Sequence, residues 1–247
     1  MRGFGSLSLI LFAGAILLAA SPAQAGDQAR LDVLGFSEDG RFFAFEQSGI
    51  QDGSGWPYSD IFVLDVLADS WVRPSPFRHR DESDDSQGYD PDALLAQTRA
   101  DNRLAAQPLL DSTGIAGRGY TVGSNPVTEL SADPYRMTVN PKPVVPPIDP
   151  PMQIELTEFD LPEATCQTYG VQTKGFRLTT VFGGEARVRH LDETLPSSRG
   201  CAIGYRIERV IAHFPEGSPP VVAIIVHVSR HGFEGPDGRY MAITGRL

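Results

Sequence analysis

The sequence is poor in the residues that most often carry chemistry. Among 247 residues there are 2 cysteines, 2 tryptophans and 5 histidines, and 21 basic residues face 31 acidic ones. Two distant cysteines with no C-x-x-C spacing exclude a thioredoxin-like redox motif and offer too few ligands for structural zinc. A net charge of −10 argues against sequence-independent nucleic-acid binding, which needs a basic surface to displace counterions from phosphate. Anionic lipid surfaces are disfavoured for the same reason. There is no G-x-S-x-G elbow, no phosphate-binding glycine loop and no dinucleotide fingerprint. Beyond Ala25 no apolar run approaches the roughly 20 residues that cross a bilayer, so no membrane insertion is expected of the mature chain.

What is plentiful is turn chemistry. The chain holds 25 glycines and 20 prolines with 41 % apolar residues, a Gly and Pro share well above the roughly 12 % of average usage. That favours many short strands over a helix bundle. The N-terminus carries a second clear signal. Arg2 gives a small positive region, Leu7 to Ala20 is apolar, Ser21-Pro22 breaks the run, and Ala23-Gln24-Ala25 is the small-x-small pattern of a cleavage site. Residues 1–25 therefore read as a signal peptide cleaved after Ala25, and the product as periplasmic or secreted. In an oxidising compartment, Cys166 and Cys201 are expected to form a disulfide.

From Ala29 to Val72 the pattern is hairpin grammar. Short apolar runs alternate with Asp-Gly and Gly-Ser-Gly turns, predicting a β-meander over residues 26–80. Residues 81–151 read as an acidic loop, a helix and a Pro-rich connector. Asp90 is placed to cap the helix, with Pro91 at its first position. Leu94, Leu95, Thr98, Leu104 and Leu109-Leu110 give a patchy apolar stripe, and Gly114 to Gly123 reads as a loop. The connector packs six prolines between Asn140 and Pro151 and must be extended. Residues 152–247 return to strands: Phe176 to Phe182 alternates, Ile203 to Phe214 switches its apolar face near Arg209 as a bulge would, and Val221 to Val228 reads as a central strand buried on both faces. The expected architecture is mainly β, an N-terminal antiparallel meander packed on a C-terminal antiparallel β-sandwich.

Two resemblances add to this reading. Gly35-Phe-Ser-Glu-Asp-Gly-Arg-Phe-Phe-Ala-Phe45, followed by Ile61 to Asp65, a turn and Trp71, resembles the repeat of Tol-associated periplasmic β-propellers. No second copy follows, so it implies one blade-like meander without a closed ring. The mature chain as a whole resembles a family of bacterial predicted secreted proteins of unknown function. That likeness rests on Gly35 to Val66, including Gln51-Asp-Gly-Ser-Gly-Trp-Pro-Tyr58, on Cys166 to Cys201, and on Gly232-Phe-Glu-Gly-Pro-Asp-Gly-Arg-Tyr240. It implies no activity and lends no catalytic residue.

Candidate chemistry is sparse. His227 and His231 lie on a strand, where four residues span about 13 Å, too far to share a metal. His190 and Asp192 read as a solvated strand end. The acids from Asp81 to Asp92 miss calcium-loop spacing, because aligning on Gly88 puts Ser83, Asp85 and Gln87 at the ligand positions. No metal, cofactor or catalytic set is expected. The cluster that remains is Asp52, Ser54, Trp56, Tyr58 and Asp60, which joins aromatic surface to hydrogen-bonding groups in one long hairpin loop, a mixture suited to ligand contact. The sequence therefore points to an exported, non-catalytic protein that binds an envelope ligand or another protein. A hydrolase with a site assembled from distant loops, or a structural envelope protein, is the alternative.

Overall fold

The computed structural model of the chain describes residues 26–82 and 90–247. The expected signal peptide and most of the acidic stretch around Gly88 lie outside the described residues. The first strands are β1 (Arg30–Ser37), β2 (Phe42–Ile50), β3 (Pro57–Asp65), β4 (Ser70–Trp71) and β5 (Phe77–Arg80), followed by helix α1 (Pro91–Ser112). Then come β6 (Ile115–Arg118), β7 (Tyr120–Ser124), β8 (Arg136–Val139), β9 (Met152–Asp160) and the short helix α2 (Ala164–Thr168). The chain ends with β10 (Lys174–Phe182), β11 (Glu185–Leu191), β12 (Ala202–His213), β13 (Val221–Arg230) and β14 (Asp237–Arg246).

The strands form three antiparallel sheets. The first has the order β4-β3-β2-β1-β6 with β5 also on β3; the second is β14-β13-β12-β7; the third is β11-β10-β9-β8. The meander from β1 to β4 follows the expected strand order. The second sheet is the middle layer. Val222, Ile224, Val226 and Val228 pack with Ile154, Leu156, Phe176 and Leu178 of the third sheet. Their neighbours Val221, Ala223 and Ile225 pack with Phe36, Phe43, Phe45 and Phe62 of the first. Alternate strand residues point to opposite faces, so the continuous apolar run of β13 serves two cores at once. Full burial of each such side chain is worth about 1.5–3 kcal/mol. The expected bulge is present: register shifts between Ile207 and Arg209, which lets Ile207 and Val210 face one core while Ile211 faces the other.

Three expectations need correction. Gly114 to Gly123 is not a plain loop, because β6 and β7 lie within it; β6 joins the first sheet, β7 the second, and β8 the third. These strands are four or five residues long, too short for periodicity to show. Helix α1 is capped as read, with the Asp90 side chain accepting from Asp92 N and Ala93 N, and Thr98 of the expected stripe is buried together with Asn102 and Ala106. Leu104, however, faces away from the sheet and is 75 % exposed. The helix docks on the outer face of the first sheet through polar groups. Arg99 and Arg103 both bind Glu46, whose side chain is wholly buried, and Asn102 Nδ2 donates to Ser59 O at 2.8 Å. A third correction concerns His190 and Asp192, taken up with the site.

Two local features fix the frame. Gly35 has φ +89°, and a Cβ there would meet the Gly117 backbone at 2.7 Å, so β1 and β6 approach as closely as they do because the residue is glycine. Cys166 and Cys201 are bonded, with S–S 2.07 Å across 35 residues. The chain-entropy estimate for a loop of that size is about 3–4 kcal/mol.

Candidate functional site

Strand β14 is the open edge of the middle sheet, and open edges present unpaired N–H and C=O groups that invite other strands. Here they are covered from the side. Tyr240 N donates to Gln47 Oε1 at 2.8 Å, Thr244 N to Asp69 Oδ1 at 2.7 Å, and Gly238 N to Asp27 O at 2.8 Å. Gly238 has no room for a Cβ, which would collide with Gln28 Oε1 and His227 Nε2. Beside this capped edge, the inner face of the first sheet and the Pro196–Arg199 turn enclose a cleft of about 860 Å³.

Pairing register decides which side chains enter it. Arg80 lies opposite Tyr58 and Arg78 opposite Asp60, so both arginines share the face that Phe62 turns inward. Arg230 and Arg239 approach from the middle sheet. Arg239 is committed: it binds the buried Asp27 carboxylate and lies 4.6 Å over the Tyr58 ring. Arg78, Arg80 and Arg230 make no ion pair among the described residues. Burial, and then the adjacent Arg239 charge, push the Arg230 guanidinium below its usual pKa. Five arginines line the cleft against Asp60, Asp69, Glu82 and Asp237, an excess of cations in a chain with an excess of acids.

The far end is aromatic and acid-bearing. Trp71 is 45 % exposed and packs on Phe62 with ring centroids 5.9 Å apart. Among the described residues Asp69 alone, glycines apart, has positive φ, at 46°, a conformation that costs energy and gathers at functional sites. Its Oδ1 also accepts from Thr244 Oγ1 at 3.0 Å, yet burial outweighs these bonds and raises its pKa. Across the cleft, His190 Nε2 sits 2.9 Å from Asp192 Oδ1. Asp192 is buried and also accepts from Arg199 at 2.5 Å and Phe176 N at 3.0 Å. Burial alone would raise its pKa, but the bonds from His190, Arg199 and the backbone hold it low. Asp192 is therefore the buried centre of a hydrogen-bonded network with His190 and Arg199, and the pair is no solvated strand end; residues two apart share a face, and the turn after β11 brings Arg199 back to Asp192.

The residues expected to contact ligand are divided by the structure. Tyr58 and Asp60 line the cleft; Tyr58 is buried, its hydroxyl donating to Asp27 Oδ1 at 2.9 Å, and Asp60 Oδ2 accepts from Gln47 at 3.0 Å. Asp52 and Ser54 serve the hairpin turn, accepting from Gly53 N and Trp56 N. Trp56 is half-buried and outside the cleft lining. Trp71, Asp69, Arg78, Arg80 and Arg230 were not singled out from sequence. The Arg-x-Arg alternation of Arg78 and Arg80 is the one signal that marked a shared strand face. Among the described residues no group of three His, Cys, Asp or Glu is placed to hold a metal, and no helix is long and apolar enough to cross a membrane.

Comparison with curated proteins and with solved structures gave no match. A family model described as "Predicted secreted protein (DUF2259)" matches residues 44–246, a span that takes in strands of all three sheets, the helix and the cleft. The likeness to a propeller blade found no counterpart there. With most of its length covered, the chain belongs to the DUF2259 family of predicted secreted proteins.

Proposed function

We propose that the chain is a non-catalytic binding protein, working in the periplasm or outside the cell after cleavage behind Ala25, and that its ligand or partner occupies the cleft along β14. The construction of that cleft carries the reading. The walls of one concave space bring together a half-exposed tryptophan, tyrosine rings and five arginines, of which Arg78, Arg80 and Arg230 make no ion pair among the described residues. Ligand sites are typically concave and aromatic, with few convergent polar groups. Gln51 and Tyr58, at the two feet of the β2–β3 hairpin, both line it, so the Asp52, Ser54 and Trp56 turn forms its rim, with Tyr58 and Asp60 inside.

The test is recovery of bound material from an envelope extract by the tagged mature protein. Trp71→Ala should lose most of it with the fold intact, and Trp56→Ala should lose less, as a rim residue would. Recovery by Trp71→Ala equal to wild type removes the cleft from consideration. A specific observation favours a second reading, an envelope hydrolase. Asp69 and His190, the latter held from behind by Asp192, line one cleft from distant parts of the chain, and Asp69 is a carboxyl kept protonated to higher pH by burial, as a general acid requires. Release of products from envelope material, abolished by Asp69→Asn, would establish it.

A further inference from the structure

Arg78, Arg80 and Arg230, which make no ion pair among the described residues, gather toward one end of the cleft. Arg78 and Arg80 are held side by side by the β5 ladder, and Arg230 closes β13 above them. The carboxylates in reach are partly engaged: Asp60 is held by Gln47, Asp237 accepts from Asp27 N, and Asp27 itself is bound by Arg239 and Tyr58. Guanidinium groups in this state suit carboxylates, which they grip with two parallel hydrogen bonds. Burial and Arg239 already disfavour the Arg230 charge, so an arriving anion relieves a cost present in the empty protein.

The cleft is long. Six residue steps along β3 separate Tyr58, opposite Arg80, from Leu64, opposite Trp71, about 20 Å at roughly 3.3 Å per step. An extended peptide added to β14 would need that strand's outer amide groups, and Gln47, Asp69 and Asp27 already take those of Tyr240, Thr244 and Gly238. Stacked rings need no such groups. The C–H faces of pyranose rings pack on exposed aromatic side chains, and Trp71 offers one at the end away from the arginines.

We infer that the cleft binds a short acidic oligosaccharide, with its carboxylates on Arg78, Arg80 and Arg230 and its sugar rings running toward Trp71. This rests on the cleft being the binding site. Trp71 provides the readout, because Trp56→Phe leaves it as the sole tryptophan of a chain that has 2. Tetragalacturonate and tetramannuronate, each with its neutral methyl ester, are titrated against that variant while its fluorescence is followed. The acids should produce a saturable change, and the esters should bind about tenfold more weakly or worse, the loss expected for a charge-assisted contact. The double variant Arg78→Gln/Arg80→Gln, at exposed positions where folding is not at stake, should weaken the acids to a similar degree. Equal binding of acid and ester overturns the anionic inference and leaves the cleft standing. No response to either acid, or a response to tetraglutamate alone, overturns the oligosaccharide. Envelope recovery by Trp71→Ala then decides separately whether the cleft binds anything.

Discussion

Glu46 has no exposed side-chain surface and still carries a charge, because Arg99 Nε lies 2.7 Å and Arg103 Nη2 2.6 Å from its two oxygens. Burial raises its pKa and the arginine hydrogen bonds more than reverse that, so the folded value lies below 4.5. Its contribution is whole above pH 4.5 and is lost as the pH falls through the lower folded value. Glu46→Gln should cost about 2–3 kcal/mol in urea denaturation at pH 7, below the value for a fully buried pair because Arg103 can turn to water. His227 acts over a different window. Burial first, then the charges of Arg206 and Arg239, lower it from 6.5 to about 4. The folded state favours the neutral ring, so stability present above pH 6.5 is lost as the pH falls toward about 4. At about 1.4 kcal/mol per unit the loss is on the order of 3 kcal/mol. Denaturation midpoints measured from pH 7 to pH 4 should fall steeply for wild type and flatten in this interval for His227→Gln. Parallel profiles would refute the assignment.

At the scale of elements, α1 shows what sequence patterns reveal and what they hide. Asp90, Pro91 and the apolar stripe announced a helix, and it is there. The stripe named the docked face through Thr98 and misplaced only Leu104; what it did not show is that the sheet below offers a buried carboxylate and the Ser59 carbonyl, which Arg99, Asn102 and Arg103 answer. A face that docks largely through polar groups leaves only a patchy hydrophobic period to read. Asn102→Ala should therefore cost about 1–3 kcal/mol, the penalty for leaving buried groups unpaired, while Leu104→Lys should stay within about 0.5 kcal/mol. Chemical denaturation of the two variants checks both, and a larger loss from Leu104→Lys would contradict the docking described. Strand β13 is the opposite case. Its continuous apolar run predicted burial on both faces, because a middle sheet has no polar side. Strands β6, β7 and β8 stayed hidden since each is held by neighbours distant in sequence.

The whole molecule was legible as a class and illegible as a site. Turn residues, alternation and an even cysteine pair indicated a disulfide-bonded β-sandwich, and three stacked antiparallel sheets bear that out. Removing the bond by Cys166→Ser/Cys201→Ser should cost about 2–4 kcal/mol, measured as a shift in the urea midpoint. The cleft was hidden because its walls come from the β3–β5 region, the turn after β11, and β13–β14, whose approach depends on how the sheets stack. Aromatic residues in one hairpin drew attention to Trp56, while packing placed Trp71 in the cleft. The cleft can be blocked without disturbing what surrounds it. Ser198 is exposed on its wall, in the turn that carries Arg199. The decisive measurement is recovery of envelope material by Ser198→Trp beside wild type, with thermal midpoints recorded for both. The account predicts recovery lost at an unchanged midpoint; recovery equal to wild type at that midpoint contradicts it.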